Sequence, residues 1–199
     1  MRVKSETKRQ SILSAAKVVF RELGFGAASM SEICARAGGS KATLYSYFSS
    51  KDELFAAAMR EFAETHMEDV FRLLDPAGSP SEALHAFGAR FLGLISRPEL
   101  VSSHRTVFAE ACKSDVGKLF YRLGPEEGLK QLASYLATCM QQGTLREADS
   151  RIAAQHLIGL LKSESMDRLL FGVDDGISAG KVAAMAERAV AVFLRAYAP

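Results

Sequence analysis

The chain has no tryptophan, and its 199 residues include only three cysteines and five prolines. It also lacks any long uncharged apolar run. The longest stretch without a charged residue, Gln131 to Leu145, is broken by Gln, Ser, Thr and Gly, and so falls short of the ~20 apolar residues a membrane span requires. The basic opening, MRVKSETKRQ, leads into a segment bearing Lys17 and Arg21 instead of an apolar signal core. These absences point to a cytoplasmic protein with no membrane partner. Cys34, Cys112 and Cys139 are odd in number, far apart and set among apolar neighbours, which suits small buried hydrophobes in a reducing compartment better than a disulfide or zinc site. Alternating strand patterns with hairpin turns are missing too.

What the sequence does have is apolar spacing of helical period nearly throughout, with 48% hydrophobic residues, enough for a core of its own. The expected fold is all-α, with about nine helices. The first runs from about Thr7 to Leu23, with Ile12, Leu13, Ala16, Val19, Phe20 and Leu23 on one face and Gly24 as its stop. Ser29 with Glu32 forms an S-x-x-E capping box for a short second helix, and Gly38-Gly39 ends it. Ser40 caps the third, which has Leu44 and Phe48 as its buried edge. A second box, Ser50 with Glu53, launches a long fourth helix expected to continue through Leu74. Beyond the loop at 75–81, helices are expected over 81–96, 98–112, 115–142 with a bend near Gly124-Pro125, 149–171 and 178–197.

Charge is unevenly spread. Residues 1–60 hold ten Lys or Arg against five Asp or Glu, whereas the remainder holds fifteen against eighteen. A polyanion would therefore meet the N-terminal end.

Two short helices joined by a glycine turn and braced by a third describe a helix-turn-helix. With Leu44 and Phe48 inward and Tyr45 close beside them, Lys41, Ala42, Thr43, Ser46 and Tyr47 should face outward, the first three at the end that reaches base edges in a major groove. Lysine can donate to guanine O6 and N7, threonine can bond a base or touch a thymine methyl, and alanine permits close approach. Tyr47 and Lys51 suit phosphates, as does Ser29 at a helix N-terminus.

The run "ASMSEICARAGGSKATLYSYFSSKDELF", with the preceding "ILSAAKVVFRELGF", resembles the DNA-binding domain of the TetR/AcrR family of bacterial transcriptional regulators. "RTVFAEACKSDVGKLFYRLGPEEGLKQLASYL" followed by "GTLREADSRIAAQHLIGLL" resembles, more distantly, the C-terminal domain of that family's AefR-like branch. The resemblance implies a helix-turn-helix domain over 1–50 and a ligand-binding and dimerisation domain over 51–199. It implies a ligand-responsive one-component regulator, a repressor, that binds a palindromic duplex operator as a homodimer. The DNA contacts it carries over are Ser29, Ser40, Lys41, Ala42, Thr43, Tyr45, Tyr47 and Lys51. One position departs from the family pattern: Gly39 stands where a branched apolar residue is usual, and losing such a buried side chain would cost about 1.5 to 3 kcal/mol and loosen the turn.

The larger domain is rich in Phe, Met and Cys. Met59, Phe62, Phe87, Phe91, Phe108, Cys112, Phe120 and Met140 are candidates to line an apolar pocket, with His66, His104 and Arg105 as its polar groups, although a plain packed core explains the same pattern. In the family this region holds the inducer, here expected to be a small hydrophobic or amphipathic effector. Leu157, Leu160, Leu161, Leu169, Val182, Met185, Ala189 and Phe193 offer more apolar surface than one helix pair buries and are candidates for a four-helix dimer interface.

Catalysis has little support. Gly176-Ile177-Ser178-Ala179-Gly180 fits G-x-S-x-G, but no strand precedes it, and Ser178 reads better as the cap of the last helix. His66, His85, His104 and His156 show no metal-ligand spacing. No catalytic residue, cofactor or metal is expected. Two other classes are a helical adaptor without DNA binding and a small hydrolase using Ser178; Lys41 and Lys51 argue against the first, and a fold free of strands would exclude the second.

Overall fold

The computed structural model describes residues 5–199, and every regular element among them is helical. The α-helices are α1 (Glu6–Ala27), α2 (Met30–Ala37), α3 (Lys41–Tyr47), α4 (Lys51–Phe62), α5 (Glu68–Phe71), α6 (Pro80–Ile95), α7 (Pro98–Ala111), α8 (Val116–Leu123), α9 (Pro125–Gln141), α10 (Ser150–Lys162), α11 (Met166–Leu170) and α12 (Ala179–Tyr197). A π-helical turn, Ala63–Met67, joins α4 to α5.

Packing divides the chain into two compact units. One is the chain up to Ala63 together with Ser102–Gly124; the other is Glu64–Val101 together with Pro125–Pro199. α4 packs with the N-terminal helices because Leu54, Phe55 and Ala58 are buried in the same cluster as Ile12, Leu13, Val19, Ile33 and Leu44. Val107 of α7 and Val116 of α8 complete that cluster. Phe20, Phe25 and Phe55 interlock at its centre, with ring centroids 5.2 to 5.8 Å apart.

Glycine governs the end of α1. Gly24 takes φ 76 and ψ 167, which breaks the helix as expected, and one further turn follows that brings Phe25 inward. The caps also form where the serines predict them. Ser29 accepts from the Glu32 amide, Ser40 from Thr43 and Ser50 from Glu53, each at 3.1 Å. The Glu53 carboxylate also accepts from the amide and the hydroxyl of Ser49, one residue before the cap, each at 2.7 Å, whereas Glu32 pairs with Arg36. Ser178 is the exception: it occupies the N-cap position of α12, but its side chain makes no capping hydrogen bond.

Three expected helices are shorter than their periodicity suggests. The fourth stops at Phe62 and gives way to the π turn instead of continuing to Leu74. The seventh divides at Gly124, where φ −119 and ψ −83 leave the helical region just before Pro125. The eighth ends at Lys162 and resumes as α11.

The second unit is built on α6, α9, α10 and α12, whose Leu84, Phe87, Leu92, Leu132, Leu136, Leu157 and Phe193 are fully buried. Gly88 is what lets α6 approach its neighbours so closely: a Cβ there would lie 3.0 Å from Leu161 Cδ2 and 3.4 Å from Val190 Cγ2. Among the described residues no helix is long and apolar enough to cross a membrane.

Candidate nucleic-acid interface

The connection between α2 and α3 is set by two successive glycines, Gly38 at φ +68 and Gly39 at φ +103. Both angles lie where a side chain is strained, so glycine is what the turn requires. Gly39 is exposed, which corrects the reading of a lost buried side chain. Its position is fixed by polar contacts. The Lys8 ammonium donates to the carbonyls of Ala37 and Gly38, and Cys34 Sγ donates to the Gly39 carbonyl at 3.5 Å. Lys8 thus places a positive charge on the carbonyl end of α2, the sign its dipole favours.

Ser40 then caps α3 twice over: its Oγ accepts from the Thr43 amide and lies 2.9 Å from Thr43 Oγ1. Lys41, Ala42, Tyr45 and Ser46 are exposed, Thr43 is half-buried, and Leu44 and Phe48 enter the core. Tyr45 is 49% exposed, so it belongs to the outer face and not beside the core residues. Tyr47 is half-buried, and its hydroxyl accepts from the Ser5 amide at 2.8 Å and donates to the Ser5 carbonyl at 3.3 Å. The tyrosine expected to meet a phosphate instead ties the start of α1 to the end of α3.

Lys51 is the largest correction. Its ammonium donates to the carbonyls of Phe25, Gly26 and Ala28 at 2.6, 3.3 and 3.0 Å, and it stands over the Phe25 ring. All three of its donors close the carbonyl end of α1, which gives this lysine a structural role in place of the expected phosphate contact. Sequence could not show this, since the partners lie 23 to 26 residues away and are backbone atoms. The outward cations on the turn and on α3 reduce to Lys41. Ser29, also expected at a phosphate, is exposed at the α2 N-terminus.

The candidate pocket residues divide between the two units. Met59, His104, Arg105, Phe108, Cys112 and Phe120 lie in the first, and His66, Phe87, Phe91 and Met140 in the second. The side chain of Phe62 lies outside the described residues. His104 meets Phe120 edge-on at 5.0 Å, and Phe108 beside it is 61% exposed. Phe71, Phe87 and Phe91 form a ladder with 5.5 Å steps. Among the described residues no group of His, Cys, Asp and Glu could hold a metal ion.

The candidate dimer residues are mostly spoken for. Leu157, Leu161, Leu169, Val182, Ala189 and Phe193 are buried within the protomer, because α10 and α12 turn their most apolar faces to α6 and α9; Leu160 and Met185 are half-buried. What α10 and α12 leave outward is a second stripe, with Ile152, Gln155, Gly159 and Leu160 on one helix and Met185, Arg188 and Val192 on the other.

A short helix, a two-glycine turn and a second short helix with an exposed N-terminal edge define a helix-turn-helix reader of duplex DNA. Comparison with known proteins agrees. Residues 12–58 match the family described as bacterial regulatory proteins, tetR family, and residues 82–199 match the AefR-like transcriptional repressor C-terminal domain. The chain belongs to the TetR family of bacterial transcriptional regulators. It is 33% identical over 107 residues to the HTH-type transcriptional activator FasR of Mycolicibacterium smegmatis, covering 54% of this chain and 48% of FasR, and so spans about half that relative's length. The solved structure of the flavonoid-responsive regulator FrrA is 30% identical, with a TM-score of 0.85 over 98% of this chain and 99% of FrrA. A structure assigned to the TetR family from Mesorhizobium loti MAFF303099 is 28% identical, with a TM-score of 0.86 over 98% of this chain and 100% of its own.

Proposed function

We propose that this protein is a ligand-responsive repressor of the AefR-like branch that binds a palindromic operator as a homodimer in the cytoplasm. The observation that carries the DNA reading is the exposed edge Lys41-Ala42-Tyr45-Ser46 of α3, which follows a two-glycine turn bound by Lys8. Lys41 and Ala42 would meet base edges, Tyr45 and the bare start of α2 at Ser29 would meet phosphates, and Thr43 would contribute through its methyl group. A two-fold dimer serves two half-sites about 34 to 36 Å apart, and the outward stripe of α10 and α12 would form its interface. The match of residues 82–199 to a repressor domain supports the sign of regulation.

The effector is a small hydrophobic molecule with an aromatic part, a reading supported by the partly exposed His104, Phe108 and Phe120 cluster and by FrrA, which is flavonoid-responsive. It acts only through differential affinity for the DNA-competent and incompetent states. Footprinting on the protein's own upstream region, with and without a panel of flavonoids, fatty acids and sugars, tests the whole reading. Protection of two half-sites one helical turn apart, relieved by aromatic compounds alone, is the expected result. An unprotected fragment overturns the repressor reading, and relief by sugars alone overturns the effector class.

A further inference from the structure

The cations of the N-terminal end are largely engaged by the fold. Residues 1–60 hold ten Lys or Arg. Of these, Lys8 donates to the carbonyls of Ala37 and Gly38, and Arg9 pairs with Glu6 and stands over the Phe48 ring. Lys17 pairs with Glu61, Arg36 pairs with Glu22 and Glu32, and Lys51 closes the end of α1. Arg21 lies about 20 Å along α1 from Lys8, and Arg60 sits in the last turn of α4. Beside the turn and α3, Lys41 is thus the one unengaged cation among the described residues. A reader of duplex DNA neutralises several phosphates, and a single lysine per protomer supplies one. The two cations that complete the ten, Arg2 and Lys4, stand directly before Ser5 in the sequence.

Tyr47 governs where that segment joins the first helix. It is the last residue of α3, and its hydroxyl accepts from the Ser5 amide at 2.8 Å and donates to the Ser5 carbonyl at 3.3 Å. The amide it holds belongs to the Lys4–Ser5 peptide. Ser5 makes no side-chain cap bond, and its carbonyl also accepts from the amides of Lys8 and Arg9, so the tyrosine grips the backbone at the point where α1 begins. Lys8 on the turn and Arg9 over Phe48 set the first turn of α1 alongside α3. Arg2 and Lys4 lie outside the described residues, but covalent geometry keeps Lys4 one step of about 3.8 Å, and Arg2 at most about 11 Å, from Ser5. The major groove that admits a helix is about 12 Å wide, so phosphates of a strand bordering α3 fall within that reach.

We infer that Tyr47 is a positioning residue: it holds Ser5 so that Arg2 and Lys4 meet the phosphodiester backbone bordering the groove in which α3 lies. The inference rests on the operator reading above. Arg2 and Lys4 add two phosphate contacts per protomer to the reach of Lys41, and since phosphates carry no base identity they strengthen binding to every duplex alike.

The test is a salt titration of binding by the full chain to a duplex from its own upstream region and to an unrelated duplex of equal length. Arg2→Ala combined with Lys4→Ala should weaken both complexes at least about tenfold at 0.1 M salt and reduce the slope of log affinity against log salt by about two per protomer. Tyr47→Phe keeps the ring and loses the hydroxyl; it should weaken both complexes about three- to tenfold, lower the slope in the same sense, and cost nothing further once Arg2 and Lys4 are replaced. A merely structural role for Tyr47 would leave the slope unaltered, and a direct phosphate contact by its hydroxyl would cost as much in the Arg2/Lys4 double variant as in the wild type; either result overturns the inference. So does an unchanged slope in the double variant, or a loss confined to the upstream duplex. Those outcomes leave the operator reading in place, whereas failure of the wild type to bind either duplex overturns that reading and this inference with it.

Discussion

Lys51 and Phe25 meet twice: the ammonium donates to the Phe25 carbonyl at 2.6 Å and lies 4.4 Å from the centre of the Phe25 ring. The residue that opens α4 is thus fastened to the last turn of α1, and the lysine is spent on the fold.

Lys51→Ala should accordingly lower stability by about 1.5 to 3 kcal/mol, since it strips a charged donor from three carbonyls. The slope of log affinity against log salt should stay unchanged once the fraction folded is accounted for. Lys41→Ala should do the reverse, leaving the thermal midpoint in place and reducing the slope by about one. Equal slopes for the two variants would place Lys51 on the DNA after all.

Gly39→Val restores the branched residue the family favours, yet here it should destabilise. At φ +103 a β-branched residue is strained by about 1 to 3 kcal/mol, and its Cβ would lie 3.4 Å from Lys8 Nζ. Urea unfolding measures the loss, and a variant as stable as the wild type would mean that the turn can adopt another geometry.

Charge placed on the outward stripe tests assembly without attacking the core. Met185→Glu with Val192→Glu should give folded monomers in sedimentation that no longer hold a full operator. Leu161→Glu, at a side chain 1% exposed, should instead unfold the second unit. A dimeric Met185/Val192 double variant would move the interface elsewhere.

Glu61 titrates against the same logic as a capped helix. Burial raises its pKa, but hydrogen bonds from Lys17 at 2.5 Å and Gln10 at 2.8 Å outweigh that and hold it below the ordinary value of 4.5. A carboxyl depressed on folding contributes stability that is complete above its unfolded pKa and is lost as pH falls through the folded one, so the loss belongs below about pH 4.5. Lys17→Met should flatten the stability profile in that window, and an unaltered acid limb in this variant would show that the pair contributes nothing.

The sequence made the reading head legible because its signals are local. Ser29, Ser40 and Ser50 each precede by three residues the amide they cap, and Gly38-Gly39 ends a helix by its own backbone preference. Long-range partners were not legible. Nothing near Lys51 in sequence announces three carbonyls of the α1 end, and nothing near Tyr47 announces Ser5. The apolar stripes of the last helices do not tell intrachain from interchain cover, because periodicity shows that a face is buried without showing whether its cover is the same chain or another; Leu157, Leu161 and Phe193 are covered by the protomer itself, whereas Leu160 and Met185 are half-buried. The π turn at Ala63–Met67 left no signal, since its residues continue the helical composition on both sides.

The seven-residue length of α3 and the paired glycines before it also have a kinetic meaning. So short a helix cannot hold itself, and a Gly-Gly hinge gains the most chain entropy on opening. The DNA-facing edge should therefore be the first part of its unit to open: its amides should exchange with deuterium well before those of α1, whose Leu13, Ala16 and Val19 are fully enclosed. Operator DNA, by bracing α3 from outside, would slow that exchange most at the residues that open soonest.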